Sequence, residues 1–175
     1  NFIDGKSGEK IQGLYLGYNK LTEMPEHEQL KKMVKLGLID LTNNFITKAN
    51  AFGKEINLTK VYLDYNQINK INTTEDGYFC GYYDMESFTC TYNKLTEMPD
   101  IFNAKSKYVI GSVSFAHNEI TGMQNDDNHR GVNTNNLDLS YNHLEEFPGV
   151  IIKKGSPLGI LILQANGMNT IKEGD

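Results

Sequence analysis

The sequence predicts an α/β solenoid. It is a right-handed, curved winding of about seven coils, with a parallel sheet on its concave face and short helices or loops on its convex face. Three observations lead there. The octapeptide YNKLTEMP occurs twice, at 18–25 and at 92–99, an offset of 74 residues or about three units of roughly 25. A four-point frame, apolar-x-apolar-xx-Asn-x-apolar, recurs seven times. Flanking tiers of apolar residues recur with it.

Taken in order, the frames are Leu14, Leu16, Asn19, Leu21; Ile39, Leu41, Asn44, Ile46; and Val61, Leu63, Asn66, Ile68. They continue as Phe88, Cys90, Asn93, Leu95; Val113, Phe115, Asn118, Ile120; Leu137, Leu139, Asn142, Leu144; and Leu161, Leu163, Asn166, Met168. The Asn positions are separated by 25, 22, 27, 25, 24 and 24 residues. Three residues before the frame stand Ile11, Leu36, Leu58, Met85, Ile110 and Leu158, with Thr134 breaking the rule in the sixth unit. Three residues after it stand Met24, Ile71, Met98, Met123, Phe147 and Ile171, with Ala49 departing in the second.

The alternation sends two side chains of each frame inward and the one between them outward, as a short strand does. One such strand cannot bury its apolar face alone; seven stacked in parallel build a continuous core. At ~4.8 Å per strand the sheet would run a little over 30 Å along the arc. Each Asn falls where the chain bends away from the sheet, and an amide offers both a donor and an acceptor to close that bend. The seven Asn are therefore read as structural. Residues 25–37, opening on Pro25, closing on Gly37 and carrying Leu30, Met33 and Val34, predict a short helix. Residues 71–87, with Gly77 and Gly81, predict a loop or turn, and 124–131 a polar loop.

The pattern LxxLxLxxNxLxxLP resembles the leucine-rich repeat, over about residues 11–171, and a repeat of about 24 suits a common subtype of that family. Within the family the texture is similar to bacterial surface proteins, the internalins and the repeat proteins of gut Bacteroidetes. The resemblance implies one leucine-rich repeat domain over 1–175 that binds a protein or a glycan through its concave face, is non-catalytic and needs no cofactor. It also implies an adhesin-like role on a bacterial cell surface or in a secreted protein. A spacer without a ligand of its own and the substrate-recruiting part of a larger enzyme are the alternatives.

Outward positions of the strands supply the candidate site. Between the two inward residues of each frame stand Tyr15, Asp40, Tyr62, Thr89, Ser114, Asp138 and Ile162. Immediately before each Asn stand Tyr18, Asn43, Tyr65, Tyr92, His117, Tyr141 and Ala165. The candidate ligand-binding residues are Tyr15, Tyr18, Asp40, Tyr62, Asp64, Tyr65, Tyr92, His117 and Tyr141. Tyr offers large contact area at low entropic cost, and its ring can stack on a sugar. Equally, a Tyr recurring beside the Asn can shield the strand end and pack on its neighbours. Tyr15 and Tyr62 belong to a row that varies from unit to unit, as a specific surface requires. Asp40 and Asp64, on adjacent strands and about 7–8 Å apart, form an acidic patch or are simply solvated.

The remaining features mostly exclude functions. Net charge is −5 and Arg130 is the sole arginine, so no basic face invites nucleic acid. No run of 18 apolar residues exists to insert into a membrane. The four His (His27, His117, His129, His143) form no metal-binding pair, and no metal site is predicted. Asp126 and Asp127 raise a calcium reading, but the spaced acids and closing Glu of a calcium loop are missing. Of the two cysteines, Cys80 and Cys90, the second falls at an inward frame position, where a free thiol packs as a small hydrophobe. The chain starts at Asn1 without a leader, and only Phe2 and Ile3 stand ready to cover the first coil. A solenoid needs capped ends. The expectation is therefore a piece of a longer protein, or self-association through an uncapped end.

Overall fold

The computed structural model describes residues 8–53, 55–73, 79, 85–101, 109–123, 132–152 and 156–171. Its strands in chain order are β1 (Gly13–Tyr15), β2 (Leu38–Asp40), β3 (Lys48–Asn50), β4 (Lys60–Tyr62), β5 (Lys70–Asn72) and β6 (Ser87–Thr89). They are followed by β7 (Glu97–Met98), β8 (Ile110–Ser114), β9 (Gly122–Met123), β10 (Thr134–Asp138) and β11 (Ile160–Ile162). One strand from each predicted frame enters a seven-stranded parallel sheet in the order β1-β2-β4-β6-β8-β10-β11. The pairs β3–β5 and β7–β9 form two small parallel sheets just past the Asn positions.

Register follows the frame. Leu14, Ile39, Val61, Phe88, Val113, Leu137 and Leu161 align across the sheet, so like residues stack on like. In the five inner coils both inward residues of the frame are fully buried; in the first and seventh they are only partly so. Behind the sheet runs a spine of rings: Phe52, Phe79, Phe88 and Phe115, with centroids 5.3–5.8 Å apart and edge-to-face or tilted. Such pairs add about 0.5–1.5 kcal/mol each beyond the area they bury. Phe52 and Phe79 lie outside the frame, and for that reason the period does not reveal them.

The bend has two parts. The residue before each Asn takes the left-handed conformation, with φ between 52° and 56° at Tyr18, Asn43, Tyr65, Tyr92, His117, Tyr141 and Ala165. Such a backbone costs a non-glycine residue roughly 1 kcal/mol or more. Offsetting that cost, in the first six coils the N–H of this residue donates to a carbonyl of the next coil, as Tyr18 to Thr42 (2.9 Å) and Tyr65 to Thr91 (2.9 Å). The Asn then ties two coils together. Asn66 donates to Leu63 O of its own coil and Leu41 O of the preceding one, both at 3.0 Å, and accepts the Ile46 N–H at 3.0 Å. Asn44, Asn93, Asn118, Asn142 and Asn166 repeat the arrangement.

The returns differ from expectation in several places. The helix predicted over 25–37 is a single turn, α1 (His27–Leu30), continued by tighter turns in which Met33 N–H meets Leu30 O and Leu36 N–H meets Met33 O, both at 2.8 Å. Tight turns bring Leu30, Met33 and Leu36 into the core and leave Val34 exposed, because the return must regain the sheet by Leu38. Thr134 keeps its apolar-tier place, fully buried, since its single hydroxyl proton is shared between Ile110 O (2.8 Å) and Asn136 O (3.0 Å). Ala49 also keeps its place, buried in register with Ile71. Ile171, predicted to point inward, is exposed. Most of the 71–87 return, Cys80, Phe2, Ile3 and the 124–131 loop with Asp126, Asp127 and His129 lie outside the described residues.

Candidate functional site

The open face of the large sheet is a grid whose columns are coils. Tyr15, Asp40 and Tyr62 stand directly in register on β1, β2 and β4, so two tyrosines flank an aspartate in the row. Tyr15 is exposed and its ring lies back against Gly13, where an added Cβ would come within 2.9 Å of it. Two residues upstream runs a further outward row, Gly13, Leu38, Lys60, Ser87, Ser112, Asn136 and Ile160. Sequence reasoning missed it, although counting back two from the middle of each frame would have found it. Lys60 pairs with Glu86 at 2.9 Å. That hydrogen bond and charge hold its ammonium above the ordinary range, with smaller contributions from Tyr62 and Tyr15.

The predicted acidic pair takes another form. Asp64 accepts the Thr89 hydroxyl (2.6 Å), the Thr91 N–H (2.6 Å) and the Thr91 hydroxyl (2.8 Å), so both its oxygens are engaged by the next coil. Asp40 accepts the Thr42 N–H (2.9 Å) two residues on in its own coil. Asp138 does the same with Ser140 N–H (2.9 Å). A carboxylate that accepts such bonds is positioned at the strand end. Asp64 is thereby directed toward Thr89 and Thr91, not toward Asp40.

The row before the Asn forms a stack. Tyr65 and Tyr92 lie with centroids 4.4 Å apart and planes 8° from parallel; Tyr92 and His117 are at 4.1 Å and 9°, His117 and Tyr141 at 4.2 Å and 9°. Parallel in-register strands place successive Cα atoms at nearly the spacing that flat rings need. The rings therefore cover one another's faces and present edges and polar atoms outward. Tyr18 belongs to the same row but, among the described residues, stacks on no ring. The Tyr65 hydroxyl is held above its ordinary range by burial first, then by Tyr92, Asp64 and Tyr18.

Cys90 is a free, fully buried thiol, pushed well above its ordinary pKa by burial and then by the charge of Asp64; it packs as a hydrophobe. Among the described residues no cluster of three or more His, Cys, Asp or Glu is placed to hold a metal ion, and no helix is long and apolar enough to cross a membrane. A groove of about 620 Å³ on the flank, lined by Met24, His27, Asn50 and Phe52 among others, contains none of the predicted site residues.

No family model matches the chain. Solved structures do. A leucine-rich repeat protein of Bacteroides thetaiotaomicron superposes with a TM-score of 0.75 at 42% identity, covering 91% of this chain and 19% of that one. A leucine-rich repeat protein of Bacteroides eggerthii gives a TM-score of 0.75 at 37% identity, covering 91% of this chain and 27% of that one. Among curated relatives, lumican of Bos taurus is 27% identical over 167 residues, 81% of this chain and 46% of lumican. The chain thus spans about half the length of the curated relatives it matches and a smaller share of these solved chains. Its fold is the leucine-rich repeat solenoid, as in these Bacteroides proteins.

Proposed function

We propose that this chain is a non-catalytic recognition module, part of a secreted or cell-surface protein, that binds a protein partner across the open face of its seven-stranded sheet. The observation that carries this reading is the grid itself. Its outward rows change chemistry from coil to coil, with Tyr15, Asp40 and Tyr62 side by side, while the inward rows stay uniformly apolar. A rigid sheet with variable exposed side chains is a ready recognition surface. Proteins of this fold typically act as protein-interaction modules.

A protein is favoured over a glycan for a physical reason. Sugars stack on ring faces, and within the ladder the faces of Tyr92 and His117 are covered by their neighbours, so open faces are confined to rings such as Tyr15, Tyr18 and one side of Tyr65 and form no continuous platform. The test is a binding screen of the chain against secreted and cell-surface proteins, repeated with the Tyr15→Ala/Tyr62→Ala double variant. We expect a ligand whose affinity falls about tenfold or more in the variant, while circular dichroism is unchanged. Full retention of affinity for every ligand found would overturn the reading, and a screen without ligands would leave a spacer.

A further inference from the structure

The ring ladder has a missing rung. Coils three to six supply Tyr65, Tyr92, His117 and Tyr141, and coil one supplies Tyr18, but coil two supplies Asn43. Backbone geometry is not the cause of the interruption. Asn43 has φ 54° against 56° and 54° for Tyr18 and Tyr65. Its neighbours' main chains are continuous with it, Tyr18 N–H to Thr42 O and Asn43 N–H to Asp64 O both being 2.9 Å. Asn is at home in the left-handed conformation, so the coil folds as the others do and only a ring is absent.

We infer that the gap over Asn43, between the rings of Tyr18 and Tyr65, is a slot for one flat cationic group, the guanidinium of an arginine on a protein partner. This rests on the reading of the open sheet face as a protein-recognition surface. The spacing suits one inserted layer. Tyr18 and Tyr65 are two strands apart, roughly 9–10 Å. A group sandwiched at the 4.1–4.4 Å step of the existing ladder needs about twice that step. Tyr18 offers an uncovered face, being 84% exposed, and among the described residues Tyr65 has a stacking partner on its Tyr92 side alone.

Charge selects the cation. The chain carries −5 overall, and Asp40 stands three residues before Asn43 in the same coil, its carboxylate accepting the Thr42 N–H beside Asn43; Asp64, turned to Thr89 and Thr91 of the next coil, adds charge from farther off. Lys60, the cation of the upstream row, is tied to Glu86. Shape then selects arginine over lysine. A guanidinium is planar, stacks on aromatic faces and donates in its own plane, toward the Asn43 amide oxygen, whereas an ammonium is compact and strongly hydrated.

The experiment needs no native partner. The whole chain is titrated with acetyl-Gly-Arg-Gly-amide, and with the Lys and Phe counterparts, while amide shifts are followed by NMR. The Arg peptide should shift Asn43 and its flanking coils and saturate in the millimolar range expected of one side chain, with the Lys and Phe peptides about tenfold weaker or more. Asn43→Tyr, which fills the slot with the chain's own ring, should abolish the response. Tyr18→Leu, at an exposed position where folding is not at stake, should weaken it by about tenfold. Equal response to the Lys or Phe peptide, or an undiminished response in either variant, would overturn the slot. If the Arg peptide fails to bind while partner affinity still depends on Tyr15 and Tyr62, the slot falls and the recognition reading stands.

Discussion

Residues 18–25 and 92–99 are identical in sequence and unlike in surroundings. In the second copy Leu95 and Met98 are fully buried; in the first, Leu21 and Met24 are only partly so. Asn93 is buried, donates to Leu63 O across the coil boundary and accepts the Ile68 N–H; Asn19 is exposed and, among the described residues, donates only to Leu16 O and Gly17 O nearby. Tyr92 is 43% exposed and sandwiched between Tyr65 and His117, while Tyr18 is 84% exposed. The difference teaches that the octapeptide specifies a conformation, and that the number of coils packed against it decides what each side chain is worth.

Paired substitutions break or sharpen that contrast. The largest effect belongs to the core. Leu95→Ala should cost about 2–5 kcal/mol in a urea titration, and Leu21→Ala distinctly less, because a half-covered site leaves a smaller cavity. Equal costs would show that the first coil is as well covered as the fourth. Next comes the Asn tie. Asn93→Ala strands the Ile68 N–H, while Leu63 O keeps Asn66 and Thr91 O keeps the Tyr65 N–H, a loss of about 1–3 kcal/mol, whereas at Asn19 water replaces the lost bonds and the loss should stay below ~1 kcal/mol.

Smaller again is the ring. Tyr92→Ala removes two stacked contacts and should lower stability by about 1–2 kcal/mol, against ~0.5 kcal/mol or less for Tyr18→Ala. The smallest effect is alkaline. Tyr65 has a raised pKa, above the ordinary 10.0, so its contribution is whole below that value and is lost as pH climbs through the folded pKa. Ultraviolet titration should therefore show one late-ionising tyrosine that vanishes in Tyr65→Phe, and the alkaline fall in stability should be shallower in that variant. A tyrosine spectrum unchanged by Tyr65→Phe would contradict the assignment.

The period made most of the fold legible. Apolar-x-apolar dyads, Asn and flanking apolar tiers located all seven strands of the large sheet and their register, though not β3, β5, β7 and β9, because a solenoid repeats one local solution and each unit confirms the others. What the period could not reveal lies off it. Phe52 and Phe79 join the ring spine from the returns, α1 is one turn because the chain must get back to the sheet by Leu38, and Thr134 is tolerated because Ile110 O and Asn136 O receive its hydroxyl. In the candidate site, the outward rows were readable from alternation, the row from Gly13 through Leu38 and Lys60 to Ile160 excepted, since the frame was counted only from its first inward residue. Rotamers were not readable: Asp64 turns to Thr89 and Thr91, and Tyr15 folds over Gly13.

Sequence alone determined which residues face in, which face out and where each coil turns, because these depend on local alternation and on an Asn repeated at one position in every unit. Only the tertiary structure decided that Tyr65, Tyr92, His117 and Tyr141 close into one stack while Tyr18 stands apart from it across Asn43. Stacking depends on the separation of neighbouring strands and on a ring being present on both sides, and neither is a property of one repeat.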